Sequence, residues 1–270
     1  MLRIFTTMGQ YARDAMTGRI TSGAQLSQRV YEDGYDGIEL HMAMLDMPKA
    51  APLLEGLDPA GLTFHSNQFE FSLGSVNRYR RRAAIEQLRD ELDYAAMKGA
   101  RVLTFHPGFE AKKSTRAQSH DWVIASLAEV IESHGEMLRS GQVVLGLENM
   151  DSSPEKLCRD EAEIARVLDA HPELSLTCDL AHCAIGRLDI DRFVDRFRDR
   201  IRHVHVSGYI PGKSHGKVSL AQSRLNLSPY IRKIATAADG KRDIAFCIEN
   251  KTPALSRASR KVLQAVRDAL

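Results

Sequence analysis

The feature that most constrains this chain is a set of short apolar, β-branched runs recurring along its whole length, most of them closed by a polar residue. They are LRIF from Leu2, DGIEL ending at Leu40, LTFH ending at His65 and VLTFH ending at His106. They continue as VVLGLE ending at Glu148, LSLTCD ending at Asp179, HVHVS ending at Ser207 and IAFCIE ending at Glu249. Each has too little alternation for a half-exposed strand, which is the signature of a parallel strand buried on both faces. Amphipathic stretches lie between them. One runs from Arg78 to Lys98 with Ala84, Leu88, Leu92 and Ala96 on one face and Gly99 as the stop. Others are expected from Ser153-Pro154, after Leu188 through Phe193, Val194 and Phe197, and after Ser256 with Val262, Ala265 and Leu270 inward. Eight strands in 270 residues is one βα unit per roughly 34 residues, the spacing of a (β/α)8 TIM barrel. A doubly wound sheet is the rival, but no glycine-rich turn follows the first strand. No Pro/Gly/Ser-rich linker divides the chain, so residues 1–270 are expected to form a single TIM-barrel domain.

Composition narrows the function. With 37 Lys and Arg against 35 Asp and Glu, the net charge of +2 is too small to argue for nucleic acid by itself. No apolar run approaches a membrane span, and MLRIFTTMGQ lacks a signal-peptide core. Cys158, Cys178, Cys183 and Cys247 form no CxxC pair and are expected to be reduced, buried thiols of a cytoplasmic protein.

In a barrel of this class the active site forms at the C-terminal ends of the strands. Those ends carry Glu39 with His41, His65, His106, Glu148, Asp179 with His182, His203 with His205, His215 beyond, and Glu249. Seven of the ten histidines therefore share one rim, while His120, His134 and His171 fall elsewhere. Carboxylates and imidazoles meeting in a half-buried cavity repel or stay unpaired unless a divalent cation neutralises them. Glu148 and Glu249 each end an apolar strand and are followed by Asn. His203 and His205 point to the same side of their strand, and His205, nearer the end, is favoured as the ligand. A mixed carboxylate and imidazole shell suits Mn, Zn, Co, Fe or Mg, without choosing among them or fixing their number.

With GYDGIEL, GARVLTFHPG, LSLTCDLAHCAIG and DRIRHVHVSG on the page, the chain resembles the xylose isomerase-like TIM barrel superfamily, which holds sugar isomerases and epimerases, dehydratases and endonuclease IV. The resemblance implies one divalent metal held by Glu148, Asp179, His205 and Glu249. Glu148 and Glu249 would act as the acid/base pair through an enediolate, with His182 as a further catalytic group. The substrate would be a small sugar, sugar phosphate or polyol, and His65, His106, Lys213 and Lys251 would lie against it. The alternative is an endonuclease IV-like zinc phosphodiesterase acting on abasic DNA, in which His65, His106, His182 and His215 would be added ligands. Lys213 stands where that branch has a carboxylate ligand, a departure that weakens the third metal position. Nucleic acid is a partner only under that alternative, no membrane is implied, and a homo-oligomer is compatible with either. The non-enzymatic reading, a binding module with a relict site, requires that Glu148 and Glu249 fail to converge.

Lysines mark the same rim: Lys112 and Lys113 after the fourth strand, Lys213 and Lys217 after the seventh, and Lys251 after the eighth. They are solvated loop residues or anion ligands for phosphate or carboxylate. Arg78, Arg80, Arg81 and Arg82 open a helix and read as an exposed helical face.

Overall fold

The computed structural model describes residues 1–67, 72–110, 113–237 and 243–270. Strands β1 (Leu2–Thr7), β2 (Gly37–His41), β3 (Leu62–His65), β4 (Val102–Phe105), β5 (Val144–Glu148), β6 (Ser175–Asp179), β7 (Ile201–Val206) and β8 (Ile244–Ile248) pair in parallel and in sequence order. β8 returns to β1, so the sheet closes into a barrel.

The period of two along each strand divides its residues between two environments. Outward residues such as Ile4, Leu40, Phe64, Leu103, Leu147, Leu176, Val204 and Phe246 pack in one continuous core beneath the helices. Fully burying one such side chain contributes about 1.5–3 kcal/mol. Among the described residues the inward apolar cluster is small, comprising Phe5, Ala245 and Cys247. Thr63, Thr104, Thr177, Glu39 and His203 are also buried, and they meet across the barrel: Thr104 Oγ1 lies 3.0 Å from Thr177 Oγ1, and His203 Nε2 lies 2.8 Å from Glu39 Oε2. The barrel is thus lined by polar groups one layer below its rim.

The outer ring contains α1 (Ala12–Met16), α2 (Gly23–Glu32), α3 (Arg78–Met97), α4 (Arg116–Ser140), α5 (Glu161–Ala170), α6 (Leu180–Ile185), α7 (Ile190–Phe197), α8 (Ser228–Ala237) and α9 (Pro253–Asp268). The two longest have clear end signals. Asn77 caps α3 by accepting from the amides of Tyr79 and Arg80, and Thr115 with Gln118 forms a capping box on α4.

Three expectations change. Between β2 and β3 the chain makes 3-10 turns (Met42–Asp46, Pro48–Leu54, Pro59–Gly61) in place of an α-helix; Pro52, inside the second turn, cannot donate an α-helical hydrogen bond, while Pro48 and Pro59 open their turns. No helix starts at Ser153-Pro154: Lys156 bridges to Phe109, and α5 begins at Glu161, capped by Asp160. In α9 the buried face is Ser256, Ser259, Leu263 and Val266, with Val262 half-buried against the core; Ala265 is exposed, and Leu270 lies beyond the helix, exposed. All four cysteines are free and buried. Among the described residues no helix is long and apolar enough to cross a membrane.

Candidate metal centre

The inward register places the last polar residue of several strands in one group. Glu148, Asp179, His205 and Glu249 each offer a ligand atom, and these atoms lie within 4.8 Å of one another. The two Glu-Asn pairs noted in the sequence share a structural cause. Asn149 Nδ2 donates to the carbonyl of Asp179 at 3.0 Å and its Oδ1 accepts from the Asp179 amide at 2.7 Å, locking the end of β6 to that of β5. Asn250 Nδ2 donates to the carbonyls of Val218 (2.7 Å) and Gly216 (3.3 Å), holding the loop after β7 against β8. Gly216 has φ 75, and a Cβ there would meet the Glu249 carbonyl at 2.6 Å, so glycine lets that loop bring His215 over the site.

His205 is the hinge of the electrostatics. Its Nδ1 lies 3.2 Å from Glu148 Oε1 and 3.4 Å from Glu249 Oε1, while Nε2 lies 3.1 Å from Glu39 Oε1. Burial opposes its charge, but Glu249, Glu39 and Glu148 outweigh that and hold its pKa well above the usual histidine value. Burial likewise opposes ionisation of Glu148, yet His205 and His106 hold it well below the carboxylate range. Glu249 goes the other way, raised by burial with help from Glu148 and Asp179 despite His205 and His215.

An imidazole with carboxylates on both nitrogens requires a proton or a cation on each. Asp179 Oδ2 is buried and forms no hydrogen bond; His215 Nε2 approaches it at 3.1 Å without hydrogen-bond geometry. Three converging carboxylates, an imidazole and a buried carboxylate oxygen without a hydrogen bond fit a divalent cation.

Two further triads overlap this group. His65, His106 and Glu148 form one, with His106 Nε2 2.8 Å and His65 Nε2 3.3 Å from Glu148 Oε2. Asp179, His182 and His215 form the other; His182 Nδ1 lies 2.9 Å from the Asn149 carbonyl and 3.5 Å from Asp179 Oδ2. Burial lowers His106, although Glu148 opposes it, whereas Glu148 and Glu39 overcome burial at His65 and lift it to about 9. His215 is lifted to about 9, as Asp179 and Glu249 overcome its burial.

Glu39 received no role from the sequence. It accepts from Thr63 Oγ1 at 3.3 Å and touches both His203 and His205, one layer below the ligand group. His203 faces Glu39 and not the ligand group, which separates the two histidines of HVHV. A carboxylate inside a barrel, two residues before a rim histidine, was the available signal. His41 stands apart, its ring 5.2 Å from that of His65 and its Nδ1 accepting from the Ala43 amide.

Lys213 and Lys251 line a cavity beside His215; Lys113 and Lys217 are exposed, and Lys112 lies outside the described residues. The arginines opening α3 are engaged locally: Arg78 stacks on Tyr79, Arg81 on Trp122, and Arg82 pairs with Glu86.

Fold and site together define a (β/α)8 barrel with a candidate divalent-metal centre at its C-terminal rim. The chain belongs to the xylose isomerase-like TIM barrel family, whose model matches residues 28–265. It is similar to the uncharacterized protein MJ1188 of Methanocaldococcus jannaschii, 25% identical over 174 residues, which covers 64% of this chain and 62% of that protein's length. Among solved structures it is similar to a D-tagatose 3-epimerase-like protein (TM-score 0.77, 16% identity, 99% of this chain and 97% of that one). It is also similar to D-allulose 3-epimerase from Methylomonas sp. in complex with D-allulose (TM-score 0.74, 13% identity, 100% and 97%). At these identities the structural likeness carries the fold.

Proposed function

We propose that the protein is a metal-dependent isomerase or epimerase, or a related dehydratase, acting on a small polyhydroxylated carbonyl compound. The observation that carries this reading is the convergence of Glu148, Asp179, His205 and Glu249 within 4.8 Å at the ends of β5 to β8. Sugar 3-epimerases among the structural neighbours point to the same substrate class.

Glu148, Asp179, His205 and Glu249 would hold the ion. When bound, a divalent cation supplies Lewis-acid polarisation of a carbonyl and its neighbouring hydroxyl. Glu148 and Glu249 come from strands on either side of β6 and β7, so one removes the carbon-bound proton and the other returns it. Glu39 accepts from His205 Nε2, fixing the ring so that Nδ1 faces the cluster. His182 has its Nδ1 engaged by the Asn149 carbonyl, leaving Nε2 to orient a substrate hydroxyl. His65 and His106 hold Glu148 from the opposite side and flank the substrate.

The test is proton exchange into ketohexoses in deuterated water, followed by NMR, with wild type and Glu249→Gln. The reading predicts exchange at a carbon next to the carbonyl that falls by about 10²–10⁴-fold in the variant. Absence of exchange across ketoses, ketose phosphates and cyclic polyols with the metal bound would contradict it.

The two outlying triads favour one second reading, a zinc phosphodiesterase with more than one ion. Lys213, exposed in the loop that carries His215, supplies no carboxylate to that arrangement. Cleavage of abasic duplex DNA by zinc-loaded protein would support it.

A further inference from the structure

A second feature of the rim is a cavity of about 560 Å³ beside the candidate metal centre, sharing His215 with it. Its wall comes from the loops after β5 to β8, the same four strands that end in the cluster. Three cations line it: Arg187 after α6, Lys213 in the loop after β7, and Lys251 after β8. Among the described residues none of the three pairs with a carboxylate. The acidic side chain in the wall, Asp151, is already taken by Lys156 Nζ at 2.9 Å and the Ser153 amide at 2.9 Å. The cavity therefore carries an uncompensated positive charge, of a volume that accepts a small ligand.

Arg187 adds a separate observation. Its φ is 56, left-handed, in a position after a helix where glycine is the usual residue. The preceding Gly186 is right-handed, and the amides of Arg187 and Leu188 close the helix onto the carbonyls of Ala184 and Cys183. An arginine is thus held in a conformation that glycine would adopt freely, at a cost in backbone strain, with its side chain lining the cationic cavity. In (β/α)8 barrels generally, the loops after the seventh and eighth strands frequently contribute to a phosphate site.

We propose that Arg187, Lys213 and Lys251 form a phosphate-binding subsite, and that the substrate turned over at the Glu148–Asp179–His205–Glu249 centre is a small phosphorylated polyhydroxy carbonyl compound. This deepens the isomerase reading and rests on it. Arg187 presents a fork to two phosphate oxygens and the lysines supply point charges, while the carbonyl end of the substrate reaches past His215 to the ligand group.

The test is calorimetric titration of the metal-loaded full chain with inorganic phosphate, D-fructose 6-phosphate and D-fructose, in wild type, Arg187→Gly, Lys213→Gln and Lys251→Gln. Both phosphate compounds bind wild type, and each substitution weakens them about tenfold. Arg187→Gly folds with an unchanged or higher Tm, because glycine suits that backbone. Phosphate that binds all four proteins equally, or fails to bind wild type, overturns the subsite. So does a dependence on these residues seen for abasic duplex DNA and not for the small phosphates. Metal content measured on the same samples separates the two proposals: a count other than one ion fails the isomerase reading while leaving the phosphate result to stand on its own.

Discussion

The rim has two unlike halves. Strands β2, β3 and β4 end in or beside His41, His65 and His106, whereas β5, β6 and β8 bring Glu148, Asp179 and Glu249 to the ligand group, with His205 on β7 between them. All the formal negative charge facing the cluster thus comes from one side. The carboxylate of the other side, Glu39, lies a layer deeper and acts on His205 rather than on the cluster. The difference teaches that a carboxylate's depth, not its presence at a strand end, decides whether it faces a cation or orients a ligand.

The largest expected effect breaks the carboxylate half. Asp179→Asn removes a charge whose buried Oδ2 forms no hydrogen bond, and metal affinity should fall by more than the roughly 100-fold that loss of an outer partner costs. Equilibrium dialysis would show it; retention of wild-type affinity would place the cation elsewhere. Next comes Glu39→Gln, which leaves the cluster's own atoms intact but weakens the hold on His205. Metal affinity should drop about 10–100-fold, and unchanged affinity would remove Glu39 from the account. On the imidazole half, His106→Gln should lower kcat by about tenfold, by loosening Glu148, while one ion per chain is retained. Loss of a second ion in that variant would show that the half binds metal itself.

The pattern of these halves was readable in the sequence to different degrees. The strand ends were legible because a buried parallel strand must be apolar, so a terminal Glu148 or Asp179 stands out against its run. The Glu-Asn repeats stood out too, but what Asn149 and Asn250 grip depends on neighbours one strand away. Glu39 was visible and its task was not, since that depends on which way the His205 ring nitrogens point across 166 residues of sequence separation. Ser153-Pro154 imitates a helix start; the true cap, Asp160, prevails because the intervening chain is tied back to the loop after β4. Arg187 was hidden because Gly186, one residue earlier, is where a left-handed turn would be expected.

The smallest effect concerns the scaffold under the carboxylate half. Burial opposes ionisation of Glu163, but Arg116, His120 and the Arg159 amide outweigh it and hold its pKa well below the usual range. A depressed carboxylate stabilises the fold above its unfolded pKa of about 4.3 and loses that contribution as pH falls through the folded value. Glu163→Gln should therefore cost about 1 kcal/mol at pH 7 and flatten the loss of Tm below about pH 4. Parallel Tm curves for both proteins would contradict this.

The most direct test of the central claim is a metal count by elemental analysis joined to anomalous diffraction on the purified chain. The expected result is one divalent ion per chain, bound by Glu148, Asp179, His205 and Glu249. Two or three ions, with His65 and His106 or His182 and His215 among their ligands, would contradict it.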